Sequence, residues 1–237
     1  MKWEGDDRPP PSWRRLTEAA WVLPRMLSTI RPAKTLGPQN GPVALVIPGW
    51  VASDRTTAPL RKALADAGWR VHGWGLGFNR GATVDIVDSL TRRLNEVGGG
   101  NPVLVVGWSL GGVYARELAR AAPTLVRAVV TLGSPFSGDP KQNNVWRLYE
   151  WIAGHRVDEP PIPRITDKPP VPHLAIWSRR DGIIAPRSAR GLDHERDKAV
   201  EMRCTHMALG ISRRTGRDVA REIAAFLAEV EGPESRD

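Results

Sequence analysis

The chain contains one cysteine, Cys204, among 237 residues. That excludes an intramolecular disulfide framework, so stability has to come from a packed core, and a lone thiol suits a reducing compartment. No segment approaches the roughly 20 consecutive apolar residues that a membrane-spanning helix needs. The N-terminus, Met1-Lys2-Trp3-Glu4-Gly5-Asp6-Asp7-Arg8-Pro9-Pro10-Pro11, carries acids and prolines where a secretion signal needs a basic start and an apolar stretch. A soluble cytoplasmic protein is the expectation. Lysine is scarce: of 34 basic residues 28 are arginine, spread in pairs such as Arg92-Arg93, Arg179-Arg180 and Arg213-Arg214. Without a dense basic block or a nucleic-acid module, the formal charge of +8 reads as a solvated surface, and no nucleic-acid partner is expected.

What is present is an ordinary globular composition, 41% hydrophobic and 25% charged, in a length that suits one α/β domain with an insertion. From Gly41 onward, short β-branched runs alternate with helical patterns, which predicts a mostly parallel sheet of about six or more strands with helices on both faces. The candidate strands are Val43–Ile47, Trp69–Trp74, Pro102–Gly107, Val126–Leu132, Val171–Trp177 and Lys198–Cys204. The candidate helices are Ala58–Ala67, Thr83–Val97, Leu110–Ala121 and Thr215–Glu229. Residues 41–237 therefore form the expected domain, and the proline-rich stretch of about 136–170 is too long for a simple connection and reads as an inserted cap. Residues 1–40 form an extension, disordered to about residue 12 and helical over Trp13 to Ile30, where Leu16, Ala20, Leu23, Leu27 and Ile30 recur at helical spacing around Pro24. That helix packs on the domain or, through Arg14, Arg15 and Arg25, makes peripheral contact with a membrane.

The chemistry is concentrated at Gly107-Trp108-Ser109-Leu110-Gly111-Gly112, which follows the apolar Pro102-Val103-Leu104-Val105-Val106 and precedes a helical pattern. A strand that turns into a helix at a serine flanked by glycines is the context of a nucleophile elbow, in which the backbone is strained and the hydroxyl exposed. A serine hydroxyl needs a base, a group to orient the base, and donors for the oxyanion. In a doubly wound sheet these collect at the carboxyl ends of strands. His206 follows the last strand, ahead of His72, His155, His173 and His194, which lie within strands, the cap or a charged loop. Asp181, in Asp181-Gly182 after the preceding strand, is the candidate orienting acid, with Asp158, Asp193 and Asp197 as its sequence neighbours. The oxyanion donors are the backbone N–H groups of Leu110 and of Trp50 after the Pro48-Gly49 turn, with Val51 the next choice. Ser134, also at a strand end, reads as structural. Ten tryptophans stand against three phenylalanines, and Trp50, Trp74, Trp108, Trp146 and Trp151 fall where they either line an apolar pocket or pack the core.

Taken together, Pro48-Gly49-Trp50, Gly107-Trp108-Ser109-Leu110-Gly111-Gly112, Leu132-Gly133-Ser134-Pro135-Phe136, Asp181-Gly182 and Thr205-His206 resemble the α/β-hydrolase superfamily from about Gly41 to Val230. Within it the chain looks like bacterial lipase-like and carboxylesterase-like members, although Pro48 stands where many of those have histidine. The resemblance implies ester hydrolysis through an acyl-enzyme on Ser109, with His206 as base, no metal or organic cofactor, and a small-molecule ester as substrate. Serine rather than aspartate at the elbow weighs against haloalkane dehalogenase or epoxide hydrolase chemistry. Lipase, thioesterase and acyltransferase activities would use the same residues. A catalytically silent binding protein of this fold is the alternative from another class.

Overall fold

The computed structural model describes residues 10, 11, 13, 14, 18, 35–138 and 165–232. Most of the extension, residues 139–164 of the expected cap, and with them Trp146, Trp151, His155 and Asp158, lie outside the described residues. Seven strands form one sheet: β1 (Thr35–Leu36), β2 (Val43–Ile47), β3 (Arg70–Gly73), β4 (Val103–Trp108), β5 (Val126–Leu132), β6 (His173–Trp177) and β7 (Lys198–Glu201). Their order is β1-β3-β2-β4-β5-β6-β7. Only β1 runs antiparallel to its neighbour, and the other six strands pair in parallel.

Every residue of β2, β4 and β6 is buried, as befits strands covered on both faces. Side-chain alternation divides them between two cores. Ala44, Val46, Leu104, Val106, Val130 and Ile176 face one core, with Leu60 and Leu64 of helix α1 (Ala58–Asp66) and Val219, Ile223 and Phe226 of helix α6 (Arg213–Glu231). Val43, Leu45, Ile47, Val103, Val105 and Val129 face the other, with Leu90 and Leu94 of α2 (Ile86–Gly98) and Tyr114 and Leu118 of α3 (Leu110–Ala121). The fully buried Arg116 of α3 donates to the carbonyls of Thr166, Asp167 and Glu195 and lies 4.4 Å over the Phe136 ring. It thereby ties Phe136 and the 166–167 segment to α3.

Several boundaries differ from the sequence expectation, for local reasons. β7 stops at Glu201 rather than Cys204 because its ladder ends with the Trp177–Glu201 pair, after which Met202 N–H turns back to the Trp177 carbonyl. α2 begins at Ile86, not Thr83, since Thr83 only closes the preceding turn by accepting from Ile86 N–H. The two-residue β1, the short helix α4 (Pro186–Arg190) and α5 (His206–Ile211) were not expected; each is too short for periodicity to register.

The chain moves from β2 outward to β3 and then returns to the other side of β2 with β4. The sheet therefore reverses winding between β2 and β4, where crevices open at strand carboxyl ends. Ser109 follows β4, the middle strand of the seven, at that point.

Candidate active site

Ser109 has φ 55° and ψ −122°. It and Val51 are the two non-glycine residues with positive φ among the described residues. Such a backbone costs of order 1–3 kcal/mol and persists only where surrounding contacts fix it. They do so here: Ser109 N–H donates to the Leu132 carbonyl at 2.9 Å, and Gly112 N–H to the Ser109 carbonyl at 3.0 Å. Close backbone packing lets α3 start there. A Cβ on Gly111 would fall 2.7 Å from the Pro48 carbonyl oxygen and closer still to that of Ile47.

The β2–α1 loop meets the serine directly, since a Cβ on Gly49 would lie 3.0 Å from Ser109 Cβ. Within this loop Val51 N–H donates to the Asn79 carbonyl at 2.8 Å, and Asn79 N–H returns a bond to the Ala52 carbonyl at 2.8 Å. The buried Asn79 side chain adds a 2.9 Å bond from Nδ2 to the Pro48 carbonyl. Val51 N–H, the next choice after Trp50 as an oxyanion donor, is thereby engaged within the loop.

Asp181 follows β6 and is fully buried. Its Oδ1 accepts from the N–H groups of Ile183 (2.8 Å) and Ile184 (2.7 Å), which leaves Oδ2 to accept from His206 Nδ1 at 2.7 Å. His206, the first residue of α5, is 2% exposed. Because Nδ1 is the donor, the neutral ring carries its lone pair on Nε2. Burial pulls the His206 pKa down, but the charge and hydrogen bond of Asp181, joined by the charge of Glu18, outweigh it and raise the pKa above its ordinary value.

Three contacts tie residues that adjoin or hold Ser109 to this pair. The preceding residue, Trp108, donates from Nε1 to the His206 carbonyl at 3.2 Å. Its ring lies 5.7 Å from the imidazole. Next to Leu132, which holds Ser109 N–H, a Cβ on Gly133 would sit 3.1 Å from both Asp181 Oδ2 and His206 Nδ1.

The other histidines have different surroundings. His173 is buried against Arg116, Thr131 and the Glu195 carbonyl; burial and then Arg116 push its pKa well below the ordinary value. Burial, followed by Arg93, Arg70 and Arg61, lowers that of His72 to about 4. His194 is exposed in the turn before β7. Ser134 is buried with its hydroxyl toward the Gly107 and Leu132 carbonyls. Of the remaining tryptophans, Trp74 packs in one core with Nε1 on the Gly77 carbonyl, Trp108 packs in the other, and Trp50 is half-buried.

Sequence reasoning passed over two residues at this site. Asn79 sits in an Asn-Arg-Gly turn that gave no sign of its grip on the Pro48–Ala52 loop. Glu18 lies in the extension, and its carboxylate accepts from Gly182, His206 and Met207 N–H groups at 3.0, 2.8 and 2.9 Å.

A parallel sheet wound on both sides, with a strained serine at its switch point beside a buried aspartate–histidine pair, defines an α/β protein with hydrolase architecture. The family model for the alpha/beta hydrolase fold matches residues 44–182. The chain belongs to that family. Two curated relatives, the pimeloyl-[acyl-carrier protein] methyl ester esterases of Shewanella woodyi and Shewanella oneidensis, are each 28% identical over 110 and 116 residues, or 45% and 48% of this chain. The matched stretch spans only 41% and 42% of those proteins. Among solved structures, carboxylesterase CesB from Bacillus subtilis superposes with a TM-score of 0.58 at 14% identity, covering 91% of this chain and 98% of its own. A lipase-esterase related protein from Clostridium acetobutylicum gives 0.60 at 16%, covering 81% and 97%. These superpositions show the shared fold. No helix among the described residues is long and apolar enough to cross a membrane.

Proposed function

We propose that this chain hydrolyses carboxylic esters through an acyl-enzyme on Ser109. The observation that carries the reading is the buried 2.7 Å hydrogen bond from His206 to Asp181 beside a serine in strained backbone. Ser109 Oγ attacks the ester carbonyl while its proton passes to His206 Nε2. The oxyanion accepts from Leu110 and Trp50 N–H, and the imidazolium, held by Asp181, then protonates the departing alcohol. Water attacks the acyl-enzyme by the same route, releasing the acid and restoring Ser109. Exposed apolar Val51, Leu76, Phe78 and Val84 in and beside the loops after β2 and β3 support an apolar acyl or aromatic group. The curated relatives' activity on a methyl ester supports a small alcohol leaving group. The bonds of Glu18 to the domain support packing of the extension there over membrane attachment.

The test is reaction with a fluorescent fluorophosphonate alongside hydrolysis of p-nitrophenyl esters from acetate to laurate. Labelling and turnover that both require Ser109, with preference for longer chains, are expected. Turnover on acyl-CoA far above that on oxygen esters would assign a thioesterase instead, and absence of both labelling and turnover would favour a silent binding protein.

Two predictions follow from the geometry. The base must be neutral to accept a proton, and its pKa is raised, so kcat/KM rises with pH through a midpoint above 6.5, the ordinary histidine value. A limb below 6.5 in the pH–rate profile would mean that burial, not Asp181, governs the imidazole. Asn79→Ala frees the Pro48–Ala52 loop and lowers kcat by about 10- to 100-fold, consistent with a misplaced oxyanion donor. Steady-state kinetics showing a change in KM alone would rule that role out.

A further inference from the structure

We infer that Glu18, from the N-terminal extension, is a positioning residue for the base and its orienting acid. This rests on the hydrolase reading above. Glu18 is 4% exposed, and its carboxylate spans two separate segments. Oε1 accepts from Gly182 N–H, next to Asp181, and from His206 N–H, the backbone of the base itself. Oε2 accepts from Met207 N–H. One carboxylate therefore clamps the acid loop to the start of α5 and sets how far Asp181 stands from His206. Backbone N–H groups in the first turn of a helix have no intrahelical partner, and an anionic acceptor satisfies them well.

The neighbouring contacts belong to the same segment. The backbone of Arg14 packs against Gly182, with its carbonyl oxygen 2.7 Å from where a Cβ would be, and its guanidinium donates to the Arg179 carbonyl. Arg14 and Glu18 thus both contact the 179–182 loop. Among the described residues, the charged and titratable groups around the imidazole are Asp181 and Glu18, with the Arg14 guanidinium over the loop. Beside them, Cys204 is held as a neutral thiol, its pKa pushed up to about 12 by burial and then by Asp181, Glu18 and Asp218 of α6. Glu18 consequently has two separable effects: its hydrogen bonds fix the geometry, and its negative charge favours the imidazolium that forms during catalysis.

Glu18→Gln and Glu18→Ala separate them. Glutamine retains an oxygen for Gly182 and His206 but turns an N–H₂ toward Met207 and removes the charge, whereas alanine removes everything. Glu18→Ala is expected to lower kcat by about 100-fold with KM little changed, and Glu18→Gln by less. Both move the acid limb of kcat/KM to lower pH. Should the alanine protein fail to fold, the glutamine protein, checked by circular dichroism, carries the test. An NMR titration of the His206 ring in the Ser109→Ala background, with and without Glu18→Gln, reads the same effect without turnover, and the pKa falls when Glu18 is neutralised. Folded variants with lowered thermal stability but unchanged kcat and unchanged imidazole titration would overturn the inference and leave Glu18 a purely structural residue. Wild-type protein that neither labels nor turns over would instead sink the hydrolase reading, and the NMR titration still decides the inference about Glu18.

Discussion

Ser109→Ala is expected to lower kcat for the proposed ester hydrolysis by about 10⁶-fold while leaving the protein folded. Members of a nucleophile–base–acid set act as a unit, and loss of the nucleophile alone forfeits nearly all of their joint contribution. A residual rate above water is expected from the proposed oxyanion donors, Leu110 and Trp50 N–H, which the substitution leaves in place. Alanine removes only Oγ and keeps a Cβ that already tolerates φ 55°, so thermal unfolding should match wild type or rise slightly. Retention of more than about 1% of wild-type turnover in a preparation free of contaminating esterase would move the nucleophile elsewhere. His206→Ala provides the parallel check, since both proteins fail at the same chemical step.

Gly111→Ala has the largest expected effect on stability. The new methyl would be driven 2.7 Å from the Pro48 carbonyl oxygen and into the Ile47 carbonyl carbon at 2.9 Å. Both neighbours are backbone, one of them the end of a central strand, so neither can swing aside as a side chain would. Overpacking of a tight core contact costs about 3 kcal/mol, which in a protein of this size lowers Tm by roughly 6–12 °C. The same displacement pushes the Gly49–Trp50 segment away from Ser109, so activity falls together with Tm. A protein with unchanged Tm measured by calorimetry would show that α3 can slide along β4 and that the contact is soft.

The elbow was legible in the sequence because its signals are local. An apolar run, the Gly-Trp-Ser-Leu-Gly pattern and a helical repeat all fall within about twenty residues, and α3 begins and ends where that pattern places it, at Leu110 and Ala121. Asp181 and His206 were legible for a different reason: each follows a strand that the β-branched runs located, and strand ends gather at one edge of a parallel sheet. The end of β7 was not legible, because a strand runs only as far as its partner, and the length of β6 is a property of the sheet. The sequence placed Trp50 ahead of Val51 only by the Pro48-Gly49 turn; that Val51 N–H is taken by the Asn79 carbonyl is a backbone contact that no side-chain pattern encodes. Glu18 was the least legible of all. Its bond to His206 joins residues 188 positions apart, and in the sequence it is one acid in an amphipathic stretch whose burial depends wholly on the finished domain.

The tryptophans show the same limit in another form. A large aromatic near a strand end satisfies the expectation for a pocket and for a core equally well. Trp108 packs in the core and bonds the His206 carbonyl, so its position one residue before Ser109 links the segments of Ser109 and His206 through the protein interior. That connection became visible only once β4, α5 and Gly210, which lies against the Trp108 ring, were placed together.

During turnover an acyl group is expected to rest on Ser109. Mixing the protein with excess p-nitrophenyl ester, quenching in acid within one turnover and recording intact and peptide masses tests it directly. The expected result is a mass gain of one acyl group, located on the peptide containing Ser109 and absent from Ser109→Ala. Release of p-nitrophenol with no acylated protein at any quench time, or an adduct on another residue, would contradict it.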